Sequence, residues 1–246
     1  TFATQQRWLM SHIALSLYFN GLRENEGLRL SKFLAAVEHH RIASRNTADS
    51  FIKEMIRYKY VTVVTDPADR RYRPLIPSET VMATFLNWLA VHFITLDGLD
   101  GGERLALLQA DPSLAGRIQP MIADGLLHAT AVRNPEKTFS LFTWLDNGGL
   151  VMDWLITNMT RAPLDADRVP VGAISVVEMA TRFRLSRTHL ARKLKEAEVL
   201  GSIGWEGKRG QSVMWVSRGF REEYCGAQAD KLAIIDHALQ AGSMAS

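Results

Sequence analysis

Apolar positions along the chain recur with two periods, one near 3.6 and one near 2, and the changes between them predict the elements. Residues 8–19 are apolar, enclose His12 and lead into Arg23, Glu24 and Glu26, which fits a first helix. Residues 31–40 make a second, short one. Ser44 then stands where its hydroxyl can accept an orphan amide hydrogen of a helix running to about residue 58. At about 100° per residue, Ala48, Phe51, Ile52 and Met55 share one side of that helix, while Asn46, Ser50, Lys53 and Arg57 share the other. Strands follow over 61–65 and 72–76, flanking the turn composition Asp66-Pro67-Ala68-Asp69.

The same order returns toward the other end. Residues 176–183 form a short helix, Ser186 a cap, and the next helix stops near Leu200, where Gly201 supplies a C-terminal end. Strands over 203–205 and 212–216 flank Glu206-Gly207-Lys208-Arg209-Gly210. An offset of 142 residues lays Ser44-Arg45-Asn46 on Ser186-Arg187-Thr188, Ala48 on Leu190, Ile52 on Leu194, Met55 on Ala197, and Val61 and Val63 on Ile203 and Trp205. Core positions thus meet core positions. The outward set of the second copy is Thr188, Arg192 and Lys195, with Arg187 and His189 at the helix start.

Short helix, tight turn, capped helix and hairpin is the order of a winged helix-turn-helix. The expected fold is therefore mainly α with small β-hairpin wings, two winged helix-turn-helix units joined by a helical segment. The expected boundaries are 1–96, 97–165 for the connector and dimerisation segment, and 166–246. Between the units, 79–96, 102–109, 113–128 and 136–160 read as helices, the last broken at Asn147-Gly148-Gly149, and 161–170 reads as the clearest linker.

Charge sharpens this picture. The net +3 of the 246 residues conceals +4 over 41–73 and +7 over 182–221, so the rest of the chain carries −8. Two basic segments on an acidic body suit a protein that meets phosphates at two places. The candidate contacts are Ser44, Arg45, Asn46, Ser50, Lys53, Arg57, Arg70, Arg71 and Arg73 in the first copy. In the second they are Ser186, Arg187, Thr188, His189, Arg192, Lys195, Lys208 and Arg209. These side chains can donate to base edges in the major groove or clasp phosphate, and hairpin tips can reach backbone or minor groove. The reading requires Lys53 and Arg192 to face outward.

The run Asp66-Pro67-Ala68-Asp69-Arg70-Arg71, followed by Leu75-Ile76-Pro77-Ser78-Glu79, resembles the wing of the MarR family of bacterial transcriptional regulators. The resemblance covers roughly residues 30–96. It implies that Asp69 helps hold the wing, that Arg70 and Arg71 contact DNA, and that the chain forms a homodimer through helices outside the DNA-binding unit; the alternative is that the two copies within one chain act as a pseudo-dimer, with recognition helices about 34 Å apart. The Thr and Gly that usually follow this wing are missing, and a further unit follows. The second copy resembles winged helices in pattern only.

Other chemistry is sparse. The glycine pairs Gly101-Gly102 and Gly148-Gly149 lack the flanks of either nucleotide motif, and His39-His40 point to different helix faces with no ligand at i+3 or i+4. Cys225 stands alone, which leaves no internal disulfide and no thiolate cluster. No enzyme, cofactor or metal is expected. With nothing to suggest an oxidising compartment, a cytoplasmic location is the default; the most apolar long stretch, 81–96, is interrupted by Asn87 and His92 and falls short of a membrane span, so no transmembrane helix is expected. Trp88, Phe93, Phe139, Phe142, Trp144 and Trp154 could line a pocket for an aromatic effector, although such stripes more often form core or dimer contact.

The leading expectation is a duplex-DNA-binding transcriptional regulator. Two alternatives stand beside it: a replication or partition initiator with tandem winged helices, and a winged-helix scaffold that contacts protein.

Overall fold

The structure is a computed structural model that describes residues 4–24, 26–64, 73–135 and 137–244. It is 67% helix and 9% strand, with two small antiparallel sheets. The chain divides into two compact units. One, here the N-lobe, comprises Gln6–Ala129 and Lys231–Ser246; the other, the C-lobe, comprises Thr1–Gln5 and Thr130–Asp230. The connector expected over 97–165 is shared between them, with 97–129 in the N-lobe and 130–165 in the C-lobe.

The N-lobe begins with α1 (Gln5–Arg23), α2 (Leu30–His39) and α3 (Arg45–Arg57). Ser44 Oγ accepts from the Thr47 amide at 3.2 Å and starts α3, while Ala48, Phe51, Ile52 and Met55 bury its inner side. Phe33 of α2 stacks on Phe51 at 6.1 Å between ring centroids, which fixes the pair of helices face to face. Strands β1 (Val61–Val63) and β2 (Leu75–Pro77) pair antiparallel, Val61 opposite Pro77, and Leu28 adds a single bridge to Leu75. The turn at 66–69 lies outside the described residues, as do Arg70 and Arg71.

Ser78 caps α4 (Glu79–Asp100), which ends where Gly101 turns left-handed at φ 77°. Next come α5 (Arg104–Ala110) and α6 (Leu114–His128). Arg104 closes this end of the lobe, donating to Asp97 at 3.2 Å, to both oxygens of Asp100 at 2.8 and 2.7 Å, and to Asp236 at 2.7 Å.

In the C-lobe, α7 (Thr130–Arg133), α8 (Lys137–Thr143) and α9 (Gly148–Thr157) precede β3 (Arg168–Ala173), α10 (Val176–Phe183), α11 (Arg187–Val199), β4 (Ile203–Trp205) and β5 (Val213–Ser217). The last helix, α12 (Arg218–Met244), starts in this lobe and ends among N-lobe residues. The sheet order is β3-β5-β4. Ser175 and Glu178 form a reciprocal capping box on α10, and Leu190, Leu194 and Ala197 bury the inner side of α11. The ring of Trp215 lies so close to Gly204 that a Cβ there would meet it at 2.2 Å, and Arg168 covers that ring at 4.3 Å.

Two expectations are corrected here. Residues 168–170, read as linker, open the strand β3, where Pro170 is tolerated because β3 is an edge. The helical break falls at 144–147, and Gly148 and Gly149 lie inside α9, where a Cβ on Gly148 would meet the Phe142 carbonyl oxygen at 2.0 Å.

The two copies agree in backbone detail. Helices α3 and α11 are both 13 residues long, capped by Ser44 and Ser186 at the expected offset of 142. Lys59 and Gly201 are both left-handed after them, at φ 59° and 73°. Next, Tyr60 N donates to Met55 O at 2.9 Å and Ser202 N to Ala197 O at 3.0 Å. The sheets close alike, with Ser78 N donating to Tyr60 O and Ser217 N to Ser202 O, each at 2.8 Å. Ahead of the capped helices, Arg41 and Arg184 are left-handed at φ 53°, and their amides donate to Glu38 O and Thr181 O.

Candidate nucleic-acid interface

Every described candidate contact lies at the surface. Ser44, Arg45, Asn46, Ser50, Lys53 and Arg57 are exposed on α3, and Arg73 is exposed ahead of β2. On α11, Ser186, Arg187, Thr188, His189, Arg192 and Lys195 are exposed. Lys53 and Arg192 keep 73% and 63% of their side-chain surface, so the inward orientation that would exclude groove contact does not occur. Each outward face exists because the opposite face of the same helix is packed into the core of its lobe.

The cations differ in their partners. Lys53 Nζ is 2.7 Å from Asp49, Arg45 is 3.9 Å from Glu38, and Arg57 reaches the Tyr58 hydroxyl at 3.0 Å. In the C-lobe Arg192 lies 3.8 Å from Glu196. Arg209, at the hairpin tip, is exposed and also has partners within its own lobe. It donates to Ala191 O at 2.9 Å, lies 3.6 Å from Glu198 and covers Trp205 at 5.3 Å. Arg209 thus braces the hairpin against α11 while remaining exposed, as is Lys208 beside it.

Two exposed arginines at the left-handed turns, Arg41 and Arg184, join these faces although the helical pattern did not single them out. The signal available was their place inside the basic segments, three and two residues ahead of the capping serines Ser44 and Ser186.

The aromatic residues are divided between the two units. Trp88 and Phe93 belong to the N-lobe, whereas Phe139, Phe142, Trp144 and Trp154 belong to the C-lobe. Phe93 and Phe142 are fully buried, and Trp144 is half exposed. A polar group is buried in the N-lobe. His12 on α1 lies edge-on between Trp8 and Trp88, with centroids 4.8 and 5.0 Å away, and its Nδ1 has no hydrogen-bond partner. Burial, then His92 and Lys231, pushes its pKa down to about 3, and burial lowers that of His92 to about 4.

The rings of His39, His40 and His128 meet edge to face, and among the described residues no group of three His, Cys, Asp or Glu could hold a metal ion. Cys225 is exposed. Of the described helices, α4 alone is long and apolar enough to cross a membrane by length and composition, and its Phe85, Leu89, Phe93 and Leu96 are buried in the protein. Comparison with protein-family models, curated proteins and solved structures gives no match for the chain.

Proposed function

We propose that both lobes carry a winged helix-turn-helix, that α3 and α11 are the recognition helices, and that the chain is a cytoplasmic regulator of transcription that binds duplex DNA. One observation carries this reading. A Ser-capped helix of the same length, preceded by a left-handed arginine and followed by an antiparallel hairpin, turns a polar, cationic face to solvent twice in one chain. An α-helix fits the major groove, and Asn46, Arg187 and Arg192 are side chains suited to base edges or phosphate. The MarR-like wing motif lies mostly outside the described residues, and the reading stands without it.

An electrophoretic shift with mixed-sequence duplex tests it. The full chain is expected to retard the duplex, and R192A/K195A, with its helical content unchanged, to retard it much less. A variant that shifts the duplex as well as the parent would remove α11 from the interface.

Self-association through α4 is part of the proposal. From 80 to 96 that helix bears no charge, and Val91 and Ile94, one turn apart, are 52% and 54% exposed, an apolar face that a second copy could cover. I94E is expected to shift a dimer to monomer in sedimentation equilibrium. A parent that is monomeric at micromolar concentration would contradict it.

A further inference from the structure

The correspondence between the lobes allows their cations to be compared position by position. Arg45 and Arg187 occupy the first position after the serine caps, and Lys53 and Lys195 the equivalent outward position two turns on. In the N-lobe each has an acid: Arg45 has Glu38 at 3.9 Å, and Lys53 has Asp49 at 2.7 Å. In the C-lobe both acids are replaced. The offset of 142 puts Ala191 where Asp49 stands, and the matched turns put Thr181 where Glu38 stands, because Arg41 N donates to Glu38 O as Arg184 N donates to Thr181 O. Among the described residues neither Arg187 nor Lys195 makes an ion pair, and both are exposed.

We infer that the two capped helices divide the work: Arg187 and Lys195 of α11 supply more of the phosphate-driven, salt-sensitive affinity for duplex DNA than Arg45 and Lys53 of α3, each of which has an acid beside it. This rests on the DNA-binding reading above. A free cation releases condensed counterions when it meets a phosphate, which appears as a slope of about −0.9 in log affinity against log salt for each phosphate neutralised. A cation beside a carboxylate brings that negative charge to the phosphate with it. The N-lobe face is thereby left to contacts through Asn46 and Ser50, which depend on base identity more than on ionic strength.

Fluorescence anisotropy of the full chain on a labelled mixed-sequence duplex, over a series of salt concentrations, tests this. R187A/K195A is expected to weaken binding about tenfold or more at low salt and to flatten the slope by about 1.8, two phosphates' worth. R45A/K53A is expected to flatten it by less than half as much. The acids give the converse: D49A should tighten binding roughly twofold, and A191D should weaken it by a similar factor, from one charge within a Debye length of the phosphates. Far-UV circular dichroism and melting confirm that each variant is folded. Equal flattening by the two double variants, or no gain from D49A, overturns the division of labour while leaving DNA binding in place. A parent chain without salt-dependent binding overturns the DNA reading and this inference with it.

Discussion

His12 makes the N-lobe sensitive to acid. Its ring is 4% exposed, wedged between two tryptophans, with Nδ1 unpaired and the Lys231 charge nearby, so a second proton has neither water nor acceptor to stabilise it. The folded pKa is about 3 against an ordinary 6.5. Above pH 6.5 both folded and unfolded chains hold the ring neutral and nothing is gained or lost. Below it the unfolded chain takes up a proton that the folded chain refuses, and stability falls by about 1.4 kcal/mol per pH unit until the folded group titrates. By about pH 4.5 the loss is about 2.7 kcal/mol, a large share of the roughly 5–15 kcal/mol that holds a domain folded. His92, lowered for the same reason, adds loss in the same direction. Urea unfolding of the parent and of H12L, followed by tryptophan fluorescence from pH 7.5 to 4.5, measures the difference. H12L is expected to start less stable and to lose about 2.7 kcal/mol less over the acid range, so the two curves converge. Curves that stay parallel would show that His12 takes up a proton in the folded chain as readily as in the unfolded one.

Arg104→Ala is expected to lower the melting temperature at neutral pH. The variant should also lose the acid sensitivity that Asp100 confers, whose pKa Arg104 holds at about 2, so that in the parent this stability is present above the ordinary carboxylate range and fades as pH falls toward 2. Arg104→Lys should recover only part of it, since an ammonium cannot reproduce the forked contacts to Asp100 and Asp236. Gly204→Val should displace the Trp215 ring, because its Cβ would need the space that the ring fills. The expected result is a changed near-UV circular dichroism signal with lost stability, and an unchanged spectrum would contradict the packing.

Much of this was legible where local chemistry and burial agree. The span of α11 follows from Ser186 at one end, Gly201 at the other, and leucines one turn apart between them. Its match to α3 followed from the same signals. The strand β3 was hidden because Val169-Pro170-Val171-Gly172 carries a proline and a glycine, the marks of a linker, and only the edge position and the bulge at Gly172 reconcile them with a strand. Gly148 misled in the opposite way, since it serves close packing inside a helix. Helix α12 was obscured by Gly219, Gly226 and Gly242, of which Gly242 lies against Ile118. At the interface, residue type placed the cations outward, but it could not tell that Arg209 donates to Ala191 O or that Asp49 lies against Lys53. Those depend on side-chain reach.

On the proposed function, two solvated cationic helix faces engage the phosphates of duplex DNA. Titrating the full chain with a mixed-sequence duplex at increasing potassium chloride tests it most directly. With roughly three to five phosphates neutralised at the C-lobe head and about one to three at the N-lobe head, the logarithm of the association constant should fall along a line of slope roughly −4 to −7. A flat line, or no association with duplex at low salt, would contradict it.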